Sequence, residues 1–249
     1  MPEYRIPLDP RNPGHFFACC GLFELAELAV PGATAGFENG GSAFVLLTDA
    51  PIPPRKLTLG PGSSLDGKPY DDKLEPLDLT IGEHVLTLNW WLNKTLTHKS
   101  ELKSWGGNQK PRDIDKLIAL LDFDTSPESL FEFSRYTTSR FGVDARSAWD
   151  AIDLGYSPND AQRKTDKQAR TFGWVEVLAV VGLQGFRPVK VRRGSYRYAL
   201  WAAPLPLAVA RAAAAAPWPG LPAHSFEFQI AIRGQGYKTF LFAEGVTDV

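Results

Sequence analysis

The chain has 249 residues, of which 44% are apolar and 22% charged, and these fractions exclude a wholly disordered protein. Its two cysteines, Cys19 and Cys20, are adjacent, and neighbours of this kind rarely form a disulfide. No apolar run approaches the length of a membrane span, and the polar, proline-rich start does not resemble a secretory signal. We therefore expect a globular, cytoplasmic protein with no membrane partner.

The first predicted elements form a β-α-β start. Tyr4–Leu8 reads as a short strand, and Asn12 as the N-cap of an almost wholly apolar helix that runs from Pro13 to Ala29. Such a helix must be largely buried. Ser42–Leu47 is predicted as the next strand. Residues 50–76 are rich in Pro, Gly, Asp and Lys, and predict a long surface excursion.

That excursion contains a partial match to a phosphate-binding loop. Residues 62–68 read GSSLDGK, but Pro69 stands where a hydroxyl side chain would hold magnesium, and it removes a backbone donor. We therefore interpret the match as a surface loop.

A hairpin, a basic segment and a helix follow in turn. Leu77–Ile81 and Leu86–Trp90 alternate apolar and polar residues around a Gly-Glu turn, which predicts the hairpin. The helix opens at Pro111 and has apolar residues at helical spacing. Between them, residues 89–112 hold five cations against a single acid, Glu101. The five cations are Lys94, Lys99, Lys103, Lys110 and Arg112.

Trp105 lies within this basic segment, directly before Gly106 and Gly107. An aromatic ring at a glycine-rich tip could be held out to wedge into or stack on a nucleic-acid base. It could equally fold onto the core. Both interpretations stay open at the level of sequence.

The second half predicts a helix over Gln168–Leu183, a hairpin over Val189–Trp201 that turns near Arg193, an alanine-rich helix and a final hairpin from Phe226 to Ala243. Helices interspersed with hairpins indicate an α+β fold of antiparallel hairpins packed with helices, with ferredoxin- or RRM-like elements. We expect one domain over residues 1–249, and a division into 1–125 and 126–249 is the alternative.

Charge is unevenly distributed along the chain. Residues 1–89 carry a net charge of −6, and residues 90–249 a net charge of +5. Two further basic clusters flank the predicted central helix, the second of them interleaved with Tyr196, Tyr198 and Trp201. The first comprises Arg163, Lys164, Lys167 and Arg170, and the second Lys190, Arg192, Arg193 and Arg197.

Basic residues with aromatics between them suit phosphate-backbone tracking and base stacking. The alternative is a strand whose tyrosines face the core while its arginines face water. Three separate basic clusters favour the nucleic-acid interpretation.

No catalytic constellation is evident in the sequence. His15 and Cys19 are four residues apart on the first helix, but two ligands do not close a metal site and no second His/Cys pair follows. Both cysteines lie beyond the first helical turn, so neither is activated there as a nucleophile. We expect no metal, no cofactor and no enzymatic activity. A stand-alone nuclease would need clustered acids or histidines, which the sequence does not show.

Several motifs carry a family resemblance. They are NPGHFFACCGLFELAE (Asn12–Glu27), GSAFVLL (Gly41–Leu47), SWGGNQ (Ser104–Gln109), SRFGVDARSAWDAIDLGYSPND (Ser139–Asp160) and EVLAVVGLQGFRP (Glu176–Pro188). Together they resemble a CRISPR-associated family of the type I-U systems, also called I-G. The opening also looks like the amino terminus of type I large subunits.

The resemblance implies a non-catalytic subunit of an RNA-guided effector complex, with the other effector-complex subunits, guide RNA and target DNA as partners. In such complexes guide pairing reads the sequence, while protein holds the backbones and inspects a short flanking motif. A scaffold that bridges subunits or recruits the helicase-nuclease without nucleic-acid contact is the alternative. Within the Ser139–Asp160 motif, turn-forming residues favour a structural role over a functional one.

Overall fold

The computed structural model describes residues 2–51, 57–61, 75–105, 110–137, 141–146, 169–215, 223–233 and 237–246. The α-helices in these ranges are α1 (Pro13–Ala29), α2 (Ile114–Ile118), α3 (Gly173–Gly185) and α4 (Leu207–Ala215). The strands are β1 (Glu3–Pro7), β2 (Thr34–Glu38), β3 (Ala43–Leu47), β4 (Leu57–Pro61), β5 (Leu77–Ile81), β6 (His84–Leu88), β7 (Arg135–Thr137), β8 (Ala169–Thr171), β9 (Val189–Arg192), β10 (Ser195–Trp201), β11 (Leu205–Pro206), β12 (Ala223–Arg233), β13 (Tyr237–Phe240) and β14 (Glu244–Val246). Within the described ranges, no helix is both long and apolar enough to cross a bilayer.

The amino-terminal elements form a sheet in the order β1-β3-β2-β11. β3 lies between β1 and β2 and is antiparallel to both, so α1 connects two parallel strands in a split β-α-β arrangement. The predicted strand at Ser42–Leu47 is therefore present as β3. The preceding strand β2 was not predicted, because Ala35 and Gly36 weaken its strand signal.

Helices α1 and α3 pack backbone to backbone in the core. A Cβ atom at Gly21 would overlap the carbonyl oxygen of Leu178, and one at Gly182 would overlap the carbonyl oxygen of Phe17. The two glycines thus permit a helix contact that any larger residue would push apart. The predicted helix over Gln168–Leu183 begins later than expected, because residues 169–171 instead pair with β7 as strand β8.

The second sheet has the order β13-β12-β10-β9, with β14 also beside β12. Its inner face packs on α1, where the Phe17 ring centroid lies 5.9 Å from that of Tyr198 and 6.1 Å from that of Phe228. The predicted hairpin over Val189–Trp201 is confirmed, and Gly194 takes the left-handed conformation of its turn (φ 74°). The last predicted hairpin is present as β12 and β13, whereas β14 was not predicted.

A third sheet of order β4-β5-β6 contains the predicted hairpin as β5 and β6. The second strand covers His84–Leu88 and so ends before Trp90, where the prediction had placed its end. β4 corrects the interpretation of residues 50–76 as surface excursion alone, since Leu57–Pro61 pairs with β5. The GSSLDGK match lies outside the described residues. The helix predicted at Pro111 is short, with a 3-10 turn over Pro111–Asp113 before α2, but its apolar face is buried as expected.

Helices and antiparallel sheets occur together, which confirms the α+β class. The buried apolar side chains form one connected cluster that extends from Ile6 to Ala243. Both cysteines belong to it, and burial raises the pKa of the Cys19 and Cys20 thiols.

Candidate nucleic-acid interface

Trp105 lies in the core and not at an exposed tip. Its side chain is 1% exposed. Its ring meets Trp90, Trp91 and Phe141 edge to face, with centroid separations of 5.5, 5.6 and 4.9 Å. A ring held in this way cannot stack on a base, so the assignment of Trp105 as a nucleic-acid contact is wrong. Burial of this much aromatic surface outweighs the loop character of the flanking sequence.

Lys103 is buried with it. Its side-chain ammonium donates to the Trp105 carbonyl oxygen at 2.6 Å and lies 4.8 Å from the centroid of the Trp105 ring. A carbonyl oxygen and an aromatic face are partners that a buried cation needs. Lys103 therefore fixes its own segment to the core, and its assignment as a phosphate contact is also wrong.

The aromatic residues of β10 face the core as well. Tyr196, Tyr198 and Trp201 are 5%, 1% and 1% exposed. The Tyr198 hydroxyl and the Trp201 indole N–H donate to backbone carbonyl oxygens at 2.6 and 2.7 Å. Alternation along the strand turns Arg197 to the face opposite Tyr196 and Tyr198, across from Glu227. Trp201 shares the face of Arg197 and is buried at the other end of the strand. The base-stacking interpretation of this hairpin is therefore wrong, and the alternative of tyrosines inward and arginines outward is confirmed.

Two of the predicted basic clusters nevertheless meet in space. Lys190 on β9 forms an ion pair with Glu101 at 2.6 Å, so the middle of the first basic segment lies beside the β9–β10 hairpin. The hydrogen bond from Lys190, followed by the charges of Lys190, Arg193 and Lys238, lowers the pKa of Glu101. Lys238 belongs to β13, and nothing in the sequence marks it as a member of this group.

Strand β9 lies at an edge of its sheet among the described strands, and all four of its residues are exposed. The side chains of Lys190 and Arg192 are 50% and 68% exposed. Val189 and Val191 are 43% and 44% exposed. The strand thus presents cations, apolar side chains and one unpaired backbone edge to the surroundings.

Glu227 anchors the arginines on this surface. Its carboxylate lies 3.6 Å from the Arg192 guanidinium and 3.5 Å from that of Arg197. The Ser195 hydroxyl donates to the same carboxylate, and this hydrogen bond, with the two arginines, lowers the pKa of Glu227. We define the hairpin surface as the group formed by Lys190, Arg192, Arg193, Arg197 and Lys238. With Glu101 and Glu227 it has a net charge of +3.

Lys94 and Lys99 are exposed on a turn that ends two residues before Glu101. The turn is closed by a bridge between Leu92 and Lys99. The Asn93 side-chain oxygen accepts from two backbone N–H groups of the turn at 3.0 and 3.2 Å. These two lysines therefore extend the positive charge along the chain from the hairpin surface.

The remaining predicted cations have other surroundings. Arg112 donates to both carboxylate oxygens of Glu75, at 2.7 and 2.5 Å, which offsets its charge. Lys110 is exposed. Arg170 on β8 donates to the Ser134 hydroxyl at 2.9 Å. Three members of the second cluster lie outside the described residues: Arg163, Lys164 and Lys167.

Three of the resembling motifs meet in a buried polar network. The Asn12 amide donates to the Asp144 carboxylate at 2.8 Å, and its oxygen accepts from two backbone N–H groups at 3.0 Å. Arg146 reaches the same carboxylate at 2.9 Å, and Glu176 of α3 accepts from the Phe141 N–H at 2.7 Å. The network joins the start of α1 to α3, so its described part supports a structural role. Most of the stretch 139–160 lies outside the described residues.

His15 lies buried in the same region. Burial lowers its pKa to about 4. Its Nδ1 accepts from the Asp9 N–H at 3.0 Å, which places the proton of the neutral ring on Nε2. In the described part of the chain, no three His, Cys, Asp or Glu side chains come together as metal ligands.

Comparisons of the chain with protein-family models, with curated proteins and with solved structures give no match. The family resemblance therefore rests on the sequence motifs, and the hairpin surface rests on the geometry.

Proposed function

We propose that this protein is a non-catalytic, cytoplasmic subunit of a type I CRISPR effector complex that contacts guide RNA or target DNA near the flanking motif through the hairpin surface. Membership of the complex rests on the motifs that resemble the I-U family. The choice of surface rests on one observation: the ion pair between Lys190 and Glu101 sets two basic segments of the chain side by side.

The character of the hairpin surface suits phosphate contact. Its cations are carried by long side chains. No described strand pairs with the outer edge of β9, whose backbone N–H groups can also donate to phosphate oxygens. The aromatic rings of β10 are buried, so the surface has no stacking role for them. Contact with phosphates positions a nucleic acid without reading its sequence. In an RNA-guided complex, sequence recognition comes instead from base pairing between the guide and the target.

The test removes three charges from the hairpin surface, as Lys190→Gln, Arg192→Gln and Arg193→Gln together. Target-DNA affinity of the assembled, guide-loaded complex is measured against salt concentration. If all three cations neutralise phosphates, the slope of log affinity on log salt should become shallower by about 2 for a single strand and about 3 for a duplex. Thermal stability should be unchanged, because exposed ion pairs contribute little.

A matched control removes three cations elsewhere, as Arg5→Gln, Arg11→Gln and Lys116→Gln, all of which are exposed. It should leave the salt slope within error of the unchanged complex. Equal losses in the two triple variants would mean that only net charge matters, and the hairpin surface would then have no special role.

A scaffold that contacts protein alone is the second candidate. The exposed Val189 and Val191 favour it, because an open edge strand with apolar side chains can pair with a strand of a partner. Crosslinking from position 191 in the assembled complex separates the two: adducts solely to protein favour the scaffold, and adducts to guide or target favour the first proposal.

A further inference from the structure

An apolar groove of about 230 Å³ opens beside α1 and α3. Among its lining residues are Leu22, Leu25, Ala29, Ile81, Leu130 and Trp174. An engineered cavity of about 150 Å³ admits benzene. The groove therefore has room for one aromatic or large aliphatic side chain, and it is smaller than the range of about 300–1,000 Å³ that is usual for small-molecule sites.

A residue with a buried hydroxyl and a partly exposed aromatic ring also line the groove. The Thr125 side chain lines the groove, and its buried hydroxyl has no hydrogen-bond partner among the residues that the structure describes. Phe123 is 36% exposed and meets Trp174 edge to face at 5.3 Å. The partly exposed ring extends the apolar surface of the groove, which another molecule can cover.

The segment that contributes Phe123, Thr125 and Pro127 to the groove is acidic, and we call its exposed carboxylates the rim. Residues 117–134 contain four acidic side chains and no basic one. Asp122, Asp124 and Glu128 are exposed and alternate with the lining residues Phe123, Thr125 and Pro127. Negative charge at the mouth favours a cationic partner and opposes nucleic acid.

We propose that this groove binds a basic segment of a partner protein, which inserts one large apolar side chain and sets lysines or arginines against the three rim carboxylates. The groove uses residues other than those of the hairpin surface, and its role does not depend on nucleic-acid contact.

The test follows the leucine methyl signals of the full chain by NMR while short synthetic peptides are added. The first peptide has a Phe-Leu pair between two Lys-Lys pairs. Two matched peptides replace either the lysines by glutamates or the apolar pair by Ser-Ser. We expect the first peptide to shift the methyl signals of Leu22, Leu25 and Leu130. The other two should bind at least about tenfold more weakly, because each lacks one of the two sources of affinity.

Variants of the chain then locate the site. Ala29→Phe places a ring in the groove and should abolish peptide binding. Neutralising the rim, as Asp122→Asn, Asp124→Asn and Glu128→Gln, should weaken binding of the basic peptide about tenfold without changing the fold. The matched control neutralises three exposed acids elsewhere and should bind as the unchanged chain does: Asp49→Asn, Glu83→Gln and Glu244→Gln.

Four results would each overturn the proposal. One is an absence of methyl shifts with the basic peptide. Another is equal binding of the acidic peptide, which would remove the role of the rim. A third is binding of p-cresol alone as tightly as the peptide, which would indicate a small-molecule site. The fourth is a set of strong NOEs from the groove methyls to residues 52–56 or 62–74 of the same chain, which would show that the chain fills its own groove.

Discussion

Replacement of Trp105 by alanine separates a core role from a nucleic-acid role. The side chain is 1% exposed and lies within 5.6 Å, centroid to centroid, of three other aromatic rings. Removing a buried indole costs about 3–5 kcal/mol, since the surrounding residues close the cavity only in part. The Lys103 ammonium would also lose the ring beneath it. We therefore expect the free energy of unfolding to fall by about 4 kcal/mol.

For a chain of this length, 1 kcal/mol corresponds to about 2–4 °C in the midpoint of thermal unfolding, so the expected decrease is about 8–16 °C. Urea unfolding followed by far-ultraviolet circular dichroism measures the free energy directly, and the slope of the transition shows whether two-state behaviour is kept. Trp105→Phe is the matched control. It keeps an aromatic ring against Phe141 and should lose less than half as much stability.

Unchanged stability together with weakened DNA binding would refute the assignment of Trp105 to the core. If Trp105→Ala unfolded at the original midpoint and the assembled complex lost affinity for target DNA, the ring would have to stand outside the core. The structure predicts a different result. The variant should be destabilised, but at a temperature where it remains folded, the slope of log DNA affinity on log salt should be unchanged.

Three further changes test other parts of the fold. Gly182→Ala should lower the free energy of unfolding, measured in urea, by at least about 2 kcal/mol, because the added Cβ would overlap the Phe17 carbonyl oxygen. Gly245→Ala is the control: a Cβ atom at that position meets nothing within 4 Å, so the free energy of unfolding should not change. Asp144→Ala should lower unfolding stability by about 3 kcal/mol, since it removes the buried carboxylate that holds both Arg146 and the Asn12 amide and leaves Arg146 the more exposed carboxylate of Glu132. A near-neutral result would contradict this. The pKa of His15 is about 4 in the folded chain against 6.5 when unfolded, so the unfolded state binds the extra proton first. Stability should therefore fall by about 3 kcal/mol as pH drops from about 6.5 to 4. Unfolding curves of His15→Asn should lack this component, and an equal pH dependence in that variant would exclude His15 as its source.

Local patterns predicted much of the secondary structure. The hairpins at β5–β6 and β9–β10 were predictable because alternation and turn residues lie within a few positions of each other. Strands β2 and β4 were not predictable in the same way. β2 is short and carries Gly36, and β4 comes from a stretch rich in proline and glycine. Both exist because a neighbouring strand supplies hydrogen bonds, which no local pattern records.

The candidate site was likewise predictable only in part. The basic residues that define the clusters can be read from the sequence, but their exposure cannot. Lys103 and Lys190 carry the same charge and each follows an aliphatic residue, yet the first is buried against the Trp105 ring and the second stands on an edge strand. Lys238 was missed because it reaches the hairpin surface through the pairing of β12 with β13.

The sequence by itself determined the α+β class, the buried character of α1 and the uneven distribution of charge. These follow from composition and short-range periodicity, which act within single elements. Only the tertiary structure decided which charges face outward. It also joined Asn12 to Asp144, and Glu101 to Lys190. The physical reason is that the exposure and partners of a side chain are set by elements far away in the chain, whose positions depend on packing of the whole core.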